Sequence, residues 1–188
     1  MDAILGSYDK SKIGSLIAWG GDHFVYKYGL DKVIKFSIIE FLMGKDGRVK
    51  LEKDYLASKK YFGKYILETE FKISSNNKFI GAIQPKVTGK YLYKEDLSDP
   101  VILGQFKEIM AAYYGLIAAG NEQIDLVGNG GIFKDCLSNI FVTPNKELVI
   151  IDTTLLEFKG IGIFYIVFYF ILHLAIWRNN MVIKNFMS

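Results

Sequence analysis

Short apolar runs broken by Gly, Pro, Asn and Asp recur along this chain, and they predict strands joined by tight turns. The clearest case is residues 138–152, SNIFVTPNKELVIID, in which IFV and LVII flank a Pro-Asn turn. The pattern predicts a β-hairpin with Asn139 just before its first strand and Asp152 just after its second. Upstream, LIAW (16–19) and HFVYKY (23–28) are two β-rich runs joined by Gly20-Gly21, and a turn at Gly29-Leu30-Asp31 leads into KVIKF (32–36). In that last run the period of two puts Lys35 on the same face as Val33, opposite Lys32 and Ile34. Two further strands, ETEFKIS and KFIGAIQ, flank Ser74-Ser75-Asn76-Asn77.

Helical spacing takes over elsewhere. Leu51, Tyr55, Leu56 and the stem of Lys59 recur at helical intervals before Gly63, a plausible terminator. Glu52 falls near the edge of that stripe, and the shorter Asp54 lies about 200° round the helix from it. From Pro100 to Gly120 a second stripe is formed by Val101, Phe106, Ile109, Met110, Tyr113, Leu116 and Ile117. Between the last strand and this helix, Pro85-Lys86-Val87-Thr88-Gly89 breaks the pattern.

The candidate chemistry sits at the ends of these elements. A hairpin brings its ends together, so Asn139 and Asp152 would aim an amide oxygen and a carboxylate at one point. Both are hard ligands, as a Mg²⁺ carried by phosphates requires. A lysine on the Val33 face of an apolar strand costs free energy unless it reaches a partner. Glycine turn, VxK strand, Glu-bearing helix, two strands, hinge, helix and Asn…Asp hairpin follow in order over about residues 15 to 155. In that order, and in the Asn–Asp separation of 152 − 139 = 13 residues, the chain resembles the protein-kinase-like superfamily, and its small bacterial members most.

The resemblance implies an α+β, bilobal protein-kinase-like fold: an antiparallel five-stranded N-lobe with one helix (1–85), a hinge (86–89), and a small, mostly helical C-lobe (90–188). It implies ATP and Mg²⁺ as cofactors and transfer of the γ-phosphoryl group to a hydroxyl on an unknown protein or small molecule. Gly20 and Gly21 would turn over the nucleotide, and Lys35, paired with Glu52, would hold its phosphates. Backbone groups from Gln84 to Val87 would read adenine, while Asn139 and Asp152 would hold metal.

Two departures bear on activity. The aspartate that accepts the hydroxyl proton stands five positions before the asparagine in such enzymes, and here that position is Lys134. Asp135 is the expected base, with Asp125 as the alternative, because Gly128, Gly130 and Gly131 let the intervening loop take unusual paths. If neither reaches the acceptor, the chain is a nucleotide-binding pseudokinase or an interaction module. Asp152 is followed by Thr153-Thr154 rather than Phe-Gly, which keeps the carboxylate but removes the sign of a phosphorylation-gated segment.

The remaining segment is short, with 188 − 152 = 36 residues after Asp152, half of them in one run. Residues 160–177, GIGIFYIVFYFILHLAIW, have no formal charge with His173 neutral, and Lys159 and Arg178 flank them. That reaches the length of a membrane-spanning helix. Burial as the central helix of the second lobe is the expectation, and a membrane anchor is the more distant alternative.

Composition limits the partners. Lys and Arg number 23 against 20 Asp and Glu, and a net +3 argues for no nucleic acid. The +4 run from Gly44 to Lys64 (seven basic residues, three acidic) reads as a solvated helix face. Cys136 is the single cysteine, which excludes an intrachain disulfide and a multi-cysteine metal site. No signal peptide is visible, so a cytoplasmic location is expected.

Overall fold

A computed structural model gives the fold for residues 6–19, 23–37, 45–74, 79–128, 136–156 and 164–188, without the side chains of residues 45, 46 and 164–168. The chain divides into two compact units. The first holds residues 1–55 and 67–87, and the second holds 56–66 and 88–188. The division after Val87 falls within the expected 86–89 hinge, but Leu56–Ile66, placed with the first lobe by the sequence, goes with the second unit.

In the first unit, β1 (Ile13–Trp19), β2 (His23–Tyr28), β3 (Lys32–Ser37), β4 (Glu70–Ile73) and β5 (Ile80–Pro85) form one antiparallel sheet in the order β1-β2-β3-β5-β4. Register pairs Tyr26 with Ile34 and Ile34 with Ile83, so these residues share a face. That face carries the core of Tyr8, Tyr28, Ile34 and Ile83, with Ile13, Tyr26 and Phe36 packed against it. The opposite face carries Val25, Val33, Lys35, Ala82, Gln84 and Phe71 by the same register. Helix α1 (Lys45–Phe62) meets this second face where Tyr55 packs edge-on against Phe71, ring centroids 5.5 Å apart.

Helix α1 ends as expected, because Gly63 takes a φ of +53° that closes a helix cheaply only without a side chain. Its buried side is the expected one only in part: Tyr55 is buried and Leu51 and Lys59 are half-buried. Asp54, Tyr55, Ser58 and Phe62 are buried at helical spacing, while Leu56 is exposed. Two polar residues in the buried stripe hid that side from a reading based on apolar periodicity.

In the second unit, β6 (Lys90–Tyr93), β7 (Cys136–Val142) and β8 (Leu148–Ile150) form a three-stranded antiparallel sheet in that order. The strand β6, in a region read as leading straight into a helix, was not anticipated. Helix α2 (Pro100–Ala118) starts on Pro100, with Asp99 as N-cap accepting from the Val101 amide at 2.9 Å. It buries Ile102, Phe106, Ile109, Met110, Tyr113 and Leu116, whereas the expected Val101 is exposed at the first turn.

Helix α3 (Phe164–Met187) buries Asn179, Val182, Ile183 and Phe186, and Phe106 meets Phe186 with centroids 6.0 Å apart. Its earlier apolar part is not enclosed: Tyr169, Phe170, Ile171, Leu174 and Trp177 are exposed. This corrects the expectation of a helix buried all round. Among the described residues no helix is long and apolar enough to cross a membrane. Here the helix passes from its apolar run into Arg178, Asn179, Asn180 and Lys184.

Candidate functional site

The β7–β8 hairpin forms as expected, with Ile140, Phe141 and Val142 opposite Ile150, Val149 and Leu148. The turn is closed by Thr143 and Glu147, whose backbone bond measures 2.9 Å, and Lys146 takes a φ of 62° within it. Asn139 lies inside β7 rather than before it, and the ladder extends one rung further through Ile151 N–H to Asn139 O at 2.9 Å. Asp152 is the next residue, so the hairpin does bring the backbones of Asn139 and Asp152 together.

A third segment joins them. The Asn139 amide nitrogen Nδ2 donates to Asp125 O at 2.7 Å, and its backbone N–H donates to Leu126 O at 3.3 Å. Ser138 donates to Val127 O from both its backbone N–H (3.1 Å) and its hydroxyl (2.7 Å). On the other side, Asp125 N–H donates to Thr154 O at 3.2 Å, and Ile124 pairs with Leu155 in an antiparallel bridge. Residues 124–128 are thus stitched between Ser138-Asn139 and the segment that follows Asp152. All of these groups belong to the second unit.

Local hydrogen bonds orient the carboxylates. Asp125 Oδ1 accepts from the amides of Val127 (3.1 Å) and Gly128 (2.9 Å), a turn typical of aspartate. Asp152 Oδ1 accepts from the backbone N–H (3.0 Å) and hydroxyl (2.9 Å) of Thr154. Gly128 is needed twice over. Its φ is +58°, and a Cβ there would stand 2.5 Å from Ser138 Oγ and 2.6 Å from Asn139 Oδ1.

Two neighbouring residues of α3 hold the same turn. Asn179 is fully buried. Its Oδ1 accepts from Leu126 N–H at 3.3 Å, and its Nδ2 donates to Ile124 O (3.1 Å), the Tyr113 hydroxyl (3.1 Å) and Gln123 Oε1 (3.4 Å). Burial pushes the Tyr113 hydroxyl pKa well above its ordinary value, so it stays neutral. Arg178 donates to Gly128 O at 2.5 Å and lies 3.7 Å from Asp125 Oδ2. From α1, Ser58 Oγ donates to Thr153 O at 3.2 Å, next to Asp152.

Sequence reasoning missed Arg178 and Asn179. Their signal was the step from LAIW to RNN within one helix, read there only as the polar flank of an apolar segment.

The expected residues of the first unit are arranged less tightly. Lys35 is half-buried on β3, cross-strand from Val25 and Ala82. Glu52 is exposed, and no ion pair between it and Lys35 is present among the described residues. The buried acid of α1 is Asp54, bound by Lys50 at 2.5 Å. Gln84 is buried, donates to Thr69 Oγ1 at 2.8 Å, and lines a cavity of about 330 Å³ with Lys32, Glu70 and Pro85. Val87 is half-buried beyond the end of β5. Gly20, Gly21 and Asp135 lie outside the described residues.

No protein-family model matches the chain, and no curated protein matches it. Among the described residues no cluster of three or more His, Cys, Asp or Glu side chains stands ready for a metal. Asn139 and Asp152 offer one amide and one carboxylate. That donor set fits Mg²⁺ arriving with phosphates and keeping several waters, and it does not fit a resident metal with an all-protein cage.

Proposed function

We propose that this chain is a kinase-like phosphotransferase that binds ATP with Mg²⁺ and passes the γ-phosphoryl group to a hydroxyl acceptor. The observation that carries the reading is the stitching of Asp125 to Asn139 and to the segment after Asp152. It ties the backbone of Asp125, the alternative base of the sequence reading, to the Asn139 side chain and to Thr154, two residues after Asp152.

Asn139 and Asp152 would hold the Mg²⁺, whose role when bound is to neutralise phosphate charge. Asp125 is the proposed base, in preference to Asp135. Its Oδ1 accepts from the amides of Val127 and Gly128, which fix the orientation of the carboxylate. As the acceptor oxygen forms its bond to the γ-phosphorus, its proton passes to Asp125 and the bond to the leaving ADP oxygen breaks. Positioning and charge neutralisation supply the rate, with no covalent intermediate. The first unit bears on the kinase-like reading through its own architecture. The five antiparallel strands with a helix between the third and fourth support this share of the reading.

The test is to titrate purified protein with ATP, with and without Mg²⁺, following thermal stability and ATP turnover. Mg²⁺-dependent stabilisation together with turnover is expected. Asp152→Asn should weaken Mg²⁺-dependent binding about tenfold or more, the scale of one lost charge-assisted contact. Metal-free binding should hold or improve, because the carboxylate no longer repels phosphate. Stabilisation without turnover would make the chain a nucleotide-binding module, and no response to ATP would overturn the proposal.

A further inference from the structure

Helix α3 shows the solvent an uncharged stripe on the side that faces away from its own core. Phe170, Leu174, Trp177 and Met181 are all exposed, and they recur at i, i+4, i+7 and i+11. At about 100° per residue the four lie within about 60° of one another. Asn179, fully buried, stands about 180° round the helix from Phe170, and Val182, Ile183 and Phe186 are buried on its side. One face of α3 is therefore spent on its own unit and the opposite one is left outside. Steps of four, three and four positions are those of the seam between two packed helices. We propose that this outward face is a self-association surface. On it a second copy of the chain lays its own α3 antiparallel, about a two-fold axis between the levels of Leu174 and Trp177. The inference does not depend on the phosphotransferase reading.

The size of the face fits a second copy. An aromatic side chain buries about 150–250 Å², and Phe170 and Trp177 are 71% and 59% exposed. With Tyr169, Ile171, Leu174 and Met181, each near half exposed, the face offers on the order of 500 Å² per copy. Two copies reach about 1,000 Å², the threshold of a specific interface. The two aromatic rings sit in the seam itself, where anchors contribute most.

Orientation follows from the spacing, which reads the same from either end. Antiparallel, Phe170 meets the partner's Met181 and Leu174 meets the partner's Trp177, so each ring packs on an aliphatic or thioether chain. Parallel pairing would oppose like residues, including Lys184, one heptad beyond Trp177, against its own copy. Antiparallel pairing keeps those two ammonium groups about 25 Å apart along the axis, well beyond a screening length. A two-fold contact of this kind closes on itself as a dimer. A lipid surface suits the face less well. Residues 164–177 contain no Lys or Arg, and Arg178 is turned inward onto Gly128 O, whereas interfacial helices set cations beside their apolar face.

The experiment measures the mass of the full chain by sedimentation and light scattering over a wide range of concentration, without detergent. Wild type should reach twice the mass of one chain. Trp177→Ala should raise the dissociation constant by about thirtyfold or more, the scale of a central aromatic anchor. Leu174→Glu sets a carboxylate into the seam and should leave monomers throughout. Both positions are exposed in the single chain, so circular dichroism should match wild type, and Leu174→Gln replaces the glutamate variant if that one does not fold. Leu30→Glu, at an exposed position of the first unit, should leave the dimer intact. Oxidation reads the orientation. Phe170→Cys alone should stay unlinked, its two copies being about 16 Å apart along the axis, while Phe170→Cys with Met181→Cys should form linked dimers. Cys136 is buried and does not compete. Ready linkage of Phe170→Cys alone would make the pair parallel and overturn the arrangement. A monomeric wild type, or a dimer that survives Leu174→Glu, overturns the surface itself. So does a monomer that binds phosphatidylcholine vesicles and loses them in Leu174→Glu, which would make the face a lipid contact.

Discussion

Glu52 on α1 and Asp125 before β7 are both carboxylates to which the sequence reading gave a part in phosphate or proton chemistry, yet the fold treats them in opposite ways. Glu52 is exposed on its helix. Asp125 has its carboxylate held by two amides and its carbonyl held by Asn139, and Arg178 faces its second oxygen. A solvated carboxylate samples many rotamers, and ordering it costs entropy each time it is used. A carboxylate tied to backbone amides has already lost that freedom. The comparison teaches that precision in this molecule is concentrated in the second unit, around residues 124–128. The first unit presents a sheet face whose lysine is only half-buried.

The hardest blow to that comparison is Asp125→Asn. Turnover should fall by about 10² to 10⁴, the usual contribution of a positioned base, with ATP·Mg²⁺ affinity preserved. A variant that turns over ATP at the wild-type rate would move the base elsewhere and end the special standing of this turn.

Next in size is Asn179→Leu, which keeps volume but leaves Leu126 N–H and Ile124 O without their buried partner. About 2 to 4 kcal/mol of stability should be lost, readable as a shift in the denaturant midpoint. A shift within error would show that the turn stands without its brace.

Gly128→Ala sharpens the picture locally. The positive φ and the close approach of Ser138 and Asn139 should together cost about 1 to 3 kcal/mol, with turnover falling further than stability because Asn139 is pushed aside. Smallest of all, Glu52→Gln should change stability by less than about 0.5 kcal/mol and leave ATP affinity nearly untouched, as for other exposed charges. A large loss of nucleotide binding in that variant would restore the Lys35–Glu52 pair and reverse the contrast.

Much of the scaffold was legible because it rests on local periodicity. The runs KVIKF and IFV…LVII become β3 and the β7–β8 hairpin, and Gly63 ends α1. The misreadings share one cause. Leu56, exposed on α1, was assigned to a buried stripe, and Asp54 and Ser58 were passed over although both are buried. Apolar periodicity finds faces that are buried through oil. It is blind to faces buried through hydrogen bonds, such as Ser58 on Thr153 O or Asn179 beneath Leu126. Strand β6 was missed for a related reason: Lys90–Tyr93 is too short to show a period and gains its partner only from β7.

The sequence by itself determined the order of the described helices and of every described strand but β6, the closeness of Asn139 to Asp152 across a hairpin, and most of the stripe of α2. These follow from side-chain alternation, turn residues and capping, all of which act over a few neighbouring positions. Only the tertiary structure decided that Asp125, 14 positions from Asn139, shares its site, and that Arg178, some 50 positions further along from Gly128, holds it. Such contacts depend on where whole elements pack. No local rule ties an aspartate in a glycine-rich loop to an arginine at the end of an apolar run until the chain has closed the distance between them.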